Sequence, residues 1–297
     1  MEIKRFIRII NEDEDIKSCF NSLKDFWLEN KEKYPVRLAH GFYHLAMVAY
    51  KAYMLAKNFP EVSGKEAYIA GMLHEPYRPI GSEEEHVDLS KDRLGEEEHA
   101  KESKKLAKEI IERANIESID EESILNAIER HHGDEGILKT DLDKILFVAD
   151  KADMKEERVF GYIWDWNHVV AEEKKVKSIN EVLGAFMKKM FRDKRRMPPI
   201  IGFTSALDAL DETYTVLSIL SRKEAQGDID LADCFDIYAL REAILNLQFL
   251  RSMEVPYDEI YEILGVYNDL LYGLKEGKIG YLDEYFRETE KYRSGHL

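Results

Sequence analysis

The sequence predicts an all-α protein. Apolar residues recur at helical spacing along nearly the whole chain, and no useful stretch alternates with the period of two that a half-buried strand needs. Prolines and cap-forming side chains punctuate the periodic stretches where helices would begin and end. Ile16, Phe20, Leu23 and Trp27 mark one helix, which Pro35 closes. A second is expected from Val36 to about Lys57, with His44, Val48, Ala52 and Leu55 on one face. A short third, Lys65 to Glu75, is cut by Pro76, and His74 shares its face with Ala67, Ala70 and Gly71. The polar, acidic segment from Pro76 to Gly95 reads as a loop over a site. From Glu96 to Ala114, His99, Ser103, Leu106 and Ile110 fall on one stripe. Ser118 and Glu121 have capping-box spacing ahead of Ile124, Leu125, Ile128 and His131, and Gly133 is a natural stop. Thr140 or Asp141 opens the next helix, lined on one side by Leu142, Leu146, Ala149, Asp150 and Asp153.

Helical stripes continue beyond residue 155. Ser178 and Glu181 repeat the capping-box spacing before Val182, Leu183, Phe186, Met187 and Met190, and Pro198-Pro199 breaks the chain. Further stripes run Leu207–Leu210–Tyr214–Leu217, Leu240–Ile244–Leu247–Leu250 and, after Pro256, Ile260–Ile263–Leu270–Leu274. The expected organisation is an N-terminal helical segment over 1–35, a metal-binding domain over 36–158 and a C-terminal helical region over 159–297 with no visible chemistry. A long helical appendage can pair with a second copy, giving a homo-oligomer, or cover a site; the sequence does not choose between them.

At 297 residues and 44% apolar content, the chain can bury one large core or two ordinary ones. No apolar run approaches the roughly 18 residues of a membrane span, and the start has no secretory signal pattern. Two cysteines, Cys19 and Cys234, exclude a disulfide framework and a cysteine metal motif. These features lead to the expectation of a cytoplasmic protein without a membrane partner. A net charge of −16 disfavours a general nucleic-acid surface. A phosphate-bearing small molecule remains compatible with it, because bound cations invert a local field.

The chemistry lies in an ordered ladder: His44, the pair His74-Glu75, His99, the pair His131-His132, and Asp150. Imidazole and carboxylate together are what a first-row transition metal asks of a protein. A carboxylate can bridge two ions while imidazoles hold each from outside, and ions roughly 3.5–4 Å apart acidify a bound water toward neutral pH. His44, His99, His131 and Asp150 sit on apolar stripes, where an unsatisfied polar group would cost about 1–3 kcal/mol. A lone histidine on such a face is more often a hydrogen-bonded core residue. An ordered series of five positions is hard to attribute to chance. His40, one turn before His44 on the expected helix, is a candidate for a third ion or for substrate, or a structural histidine; Asp153 is a candidate hydrogen-bond partner of a ligand or of substrate. The basic run Lys188 to Arg196 reads most simply as a solvated helix end, and Tyr162, Trp164 and Trp166 as an interface core.

HLAMVAYKAYMLA, AGMLHE, EEEHAKESKKLAKEII, IERHHGDEG and ILFVADKADM, in this order over about residues 36–155, resemble the HD superfamily of metal-dependent phosphohydrolases. The resemblance implies an all-α domain holding one or two divalent transition-metal ions such as Fe or Mn. It assigns His44, His74 and Asp150 to a first ion, residue 75 to a bridge, and His99 with His131 or His132 to a second. The middle histidines resemble the dinuclear branches. Two departures stand out. The family's aspartate is Glu75, one methylene longer, and Arg78 stands where many members place a phosphate-contacting lysine. With Glu75, Arg78 and Asp150 as the catalytic set, the expected activity is hydrolysis of a nucleotide or other phosphate ester through a metal-bound hydroxide. The alternatives are a degenerate HD module that binds a nucleotide or partner without turnover, and an HD-fold di-iron oxygenase.

Overall fold

The computed structural model describes residues 2–77, 93–133 and 137–272. Among them no strand occurs, and the chain is all-α as its periodicity predicts. Helices α1 (Glu2–Glu12) and α2 (Glu14–Asn30) lead into α3 (Phe42–Ala56) and α4 (Gly64–Leu73). Then follow α5 (Arg93–Ala114), α6 (Glu121–Arg130) and α7 (Asp141–Lys151). Helices α8 (Glu156–Val169), α9 (Ile179–Arg196) and α10 (Phe203–Gln226) form the next group. The chain continues through α11 (Leu231–Cys234), a π turn (Phe235–Ala239), α12 (Leu240–Ser252), α13 (Tyr257–Leu264) and α14 (Asn268–Tyr272). None of the described helices is long and apolar enough to cross a membrane.

Two apolar cores share α7. One gathers α1 to α7 with α12 and α13 around Trp27, Phe42, Tyr68 and Phe249. The other joins the opposite face of α7, through Phe147 and Val148, to α8, α9, α10 and the π turn. The ladder helices α3, α4, α6 and α7 pack in the first core. At Gly71 helices α3 and α4 approach closely: a Cβ there would lie 2.5 Å from Ala49 Cα and 2.7 Å from Ala49 N. Only a residue without a side chain allows that approach.

Several expected boundaries differ from those observed. The predicted helix from Val36 is interrupted: Leu38–His40 is a single 3-10 turn, Gly41 is extended, and the α-helix starts at Phe42. The cause is a long-range contact. Asn246 of α12 packs on Gly41, and its Oδ1 accepts the Tyr43 N–H at 3.0 Å, capping α3 from outside. His40 therefore does not share a helix with His44. Asp120, not Ser118, caps α6 by accepting the Ser123 N–H, and Ser118 bonds Asp15 instead. Helix α7, opened by a Thr140–Asp143 capping box, ends at Lys151, which leaves Asp153 in the turn beyond it. Gly265, at φ +49°, separates α13 from α14 within a stripe read as continuous; Leu274 lies outside the described residues. Helix α5 begins at Arg93, three residues ahead of the expected Glu96. Ser178 caps α9 as its spacing predicts.

Candidate metal centre

The side chains of the ladder converge on Glu75, which lies just after α4, where Pro76 ends the helical course. Two groups of potential ligand atoms, buried but for the half-buried His132, form around it: His44, His74, Glu75 and Asp150, and Glu75, His99, His131 and His132. Glu75 faces each group with a different oxygen. Its Oε2 lies 3.7 Å from His44 Nε2 and 3.6 Å from His74 Nε2. Its Oε1 lies 3.2 Å from both His99 Nε2 and His132 Nε2, and 3.7 Å from His131 Nε2. Asp150 Oδ1 completes the first group, 3.7 Å from His44 Nε2 and 3.8 Å from His74 Nε2. Helix ends solve the problem of two adjacent histidines: α6 stops at Arg130, so His131 and His132 leave the helical spiral and both reach Oε1.

The tautomers are set from behind. His74 Nδ1–H donates to Gly71 O at 2.7 Å and His131 Nδ1–H to Ile128 O at 2.6 Å. His44 Nδ1–H donates to Asp153 Oδ2 at 2.8 Å, and Asp153 Oδ1 accepts from Lys51 Nζ at 2.9 Å. Each arrangement puts the proton on Nδ1 and the lone pair on Nε2, facing Glu75, which is how a ligating imidazole is usually held. Asp153 thus stands behind His44, away from the converging atoms. Burial lowers the His131 pKa, keeping the ring in the neutral form that ligates.

The donor set fits a divalent metal. His131 Nε2 is fully buried and has no hydrogen-bond partner among the described residues. Such an atom costs about 1–3 kcal/mol unless something satisfies it, and nitrogen with carboxylate oxygen is the chemistry borderline-soft cations prefer.

Three further residues reach the site. His40 enters from the 3-10 turn, its Nε2 3.3 Å from Glu75 Oε2. Arg158 of α8 donates from Nη1 to Asp150 Oδ1 at 2.9 Å, from Nη2 to Glu75 Oε2 at 3.4 Å and from Nε to Ala39 O at 3.2 Å. Lys151, 2% exposed, donates to Asp150 Oδ2 at 2.6 Å. Burial alone would raise the Asp150 pKa, but Lys151 and Arg158 outweigh it and hold the carboxyl well below its usual range. Sequence reasoning missed Arg158 and Lys151. They sit in ordinary-looking helical stretches, and only the packing of α8 on the 38–40 turn brings the guanidinium inward. Arg78, expected to meet phosphate, lies outside the described residues, as does most of the expected loop after Pro76.

A cavity opens beside Glu75, Asp150 and His132, walled by α8 and α9. Tyr162 lines it, whereas Trp164 packs against His168 and Tyr267, and Trp166 belongs to the second core. From the basic run, Lys189 also lines the cavity and Arg196 donates to His132 O at 3.3 Å; Lys194 pairs with Asp211 at the surface.

The HD domain family matches residues 41–155, the stretch that carries His44 through Asp153. No curated protein and no solved structure matches the chain.

Proposed function

We propose, from the premise that residues 41–155 form an HD domain, that the protein is a metal-dependent phosphohydrolase acting on phosphate esters. The observation that carries this reading is the division of Glu75: its two oxygens face two separate ligand groups that share no other member. In this reading His44, His74, Glu75 and Asp150 hold one divalent ion, and Glu75, His99, His131 and His132 hold a second. Bound there, such ions supply Lewis acidity to a phosphoryl group and to the attacking water.

The chain's own residues do the remaining work. Asp153, itself held by Lys51, orients His44. Glu75 has the longer reach of glutamate, enough to span both groups from one backbone position. Burial of the converging side chains, with His132 alone half-buried, keeps the centre away from bulk water, where its charges would be weaker. Arg158, a planar cation whose forked donors match phosphate oxygens, stands at the carboxylates where a phosphoryl group would arrive. Burial opposes its charge, but Asp150 and Glu75 outweigh that, so it stays protonated.

The test is hydrolysis of phosphate esters by the purified protein with Mn²⁺ or Fe²⁺. His74→Ala is expected to abolish turnover while far-ultraviolet circular dichroism stays unchanged. Absence of turnover across a broad ester panel by the metal-loaded protein would overturn the reading, and iron-dependent oxygen uptake in its place would mark a di-iron oxygenase.

A further inference from the structure

The cavity beside the metal centre has two unlike ends. One is polar and charged: Arg158 and Lys151, paired with Asp150 and Glu75, stand with His40, and Lys189 lies nearby. The other is apolar, formed by Ile163 of α8 and by Val182, Ala185 and Phe186 of α9. Ile163, Val182 and Phe186 are buried, so this wall is fixed by the second core and not by a surface loop. The cavity volume open to water-sized groups is about 70 Å³. A water molecule needs roughly 10–15 Å³ of such space, so the cavity admits a phosphoryl group and one compact substituent. An apolar wall offers a purine or pyrimidine few of the hydrogen bonds its edge needs.

We propose that the substrate is a phosphomonoester of a compact apolar or aromatic alcohol, with its phosphoryl group at the charged end beside the metal centre and its organic group against α8 and α9. This rests on the hydrolase reading above and narrows it. In the reaction the water oxygen forms the new bond to phosphorus and the ester P–O bond breaks. One water proton goes to the departing alcohol oxygen, giving the free alcohol and inorganic phosphate with no change of oxidation state. The single apolar end argues for a monoester, because a diester would bring a second organic group to the charged end. Ala185 and Phe186 are then the specificity-determining positions, and both lie outside residues 41–155.

Calorimetry on the Mn²⁺-loaded full chain tests this without turnover, using phenylphosphonate, methylphosphonate and AMP as probes. Phenylphosphonate is expected to bind more tightly than the other two. Ala185→Leu, which fills the apolar end from a half-buried position on α9, should weaken phenylphosphonate by about tenfold or more and leave methylphosphonate unchanged. Phe186→Ala should admit 1-naphthylphosphonate, which the parent excludes; Ala185→Leu keeps the test decisive if that core variant does not fold. In parallel, phenyl phosphate should be hydrolysed with a higher kcat/KM than AMP. AMP bound or hydrolysed as well as the phenyl compound would overturn the proposal and leave the hydrolase reading standing. Phenylphosphonate binding without hydrolysis of any ester would keep the ligand class and sink the hydrolase reading. No phenylphosphonate binding would overturn the proposal outright.

Discussion

Asp153 shows how a residue without any expected contact to a metal can still govern it. Its carboxylate accepts the His44 Nδ1–H at 2.8 Å and is fixed in turn by Lys51. Partners of this kind typically contribute 10–100-fold to metal affinity. Asp153→Asn should weaken Mn²⁺ binding by a factor in that range, about 10–100, measured by competition against a chelator, while the melting temperature of the metal-free protein changes little by comparison. An unchanged metal affinity would contradict the orienting role. The ladder histidines were legible because each breaks an apolar stripe that has no other use for an imidazole. Arg158 was not: an arginine in the first turn of an amphipathic helix looks solvent-bound until tertiary packing turns it inward.

At the level of elements, the metal-facing helices depend on close packing and on caps that come from far away. Gly71→Ala would drive a methyl group into the Ala49 backbone, with no flexible neighbour to yield. A loss of about 1–3 kcal/mol or more is expected in denaturant unfolding, together with weaker metal binding, since His44 lies on α3 and His74 follows directly on α4. The turn bearing His40 is held by Asp165, which accepts the Leu38 N–H at 2.9 Å and the Tyr267 hydroxyl. Burial pushes the Asp165 carboxyl up to about 7, against the opposing pull of Tyr267 and Arg37. A carboxyl raised in the folded state binds more protons folded than unfolded between its two pKa values. Stability from this group is therefore complete below about pH 4, falls as pH rises toward 7, and is level above. Asp165→Asn, which removes the titrating carboxyl and keeps one oxygen that can accept the Leu38 N–H, should flatten the melting temperature between pH 5 and 7. An unaltered pH profile would show that Asp165 ionises freely. Neither the Asn246 cap nor the Asp165 clamp could be read from the sequence, because their partners stand 203 and 127 residues away.

Across the whole molecule, the all-α class and most helices followed from periodicity, since an apolar stripe at 3.6-residue spacing has one good way to bury itself. What periodicity could not supply was the relation between the two halves. The region after residue 158 looked free of chemistry, yet Asn246 sets the start of the His44 helix and Phe186 and Lys189 wall the cavity. Metal binding should accordingly stabilise the chain as a whole. At an ion concentration 100 times its Kd, the gain is about 2.7 kcal/mol per site, so chelation should lower the melting temperature and Mn²⁺ restore it; a melting temperature indifferent to metal would argue that the centre does not bind.

The central claim is that Glu75 joins two ligand groups, and metal stoichiometry tests it most directly. Elemental analysis of untagged protein purified anaerobically should find two transition-metal ions per chain, falling to one or none in Glu75→Ala. One ion in the parent chain would contradict the bridge and leave His99, His131 and His132 without a metal to hold. No ion after incubation with Mn²⁺ or Fe²⁺ would contradict the metal centre itself.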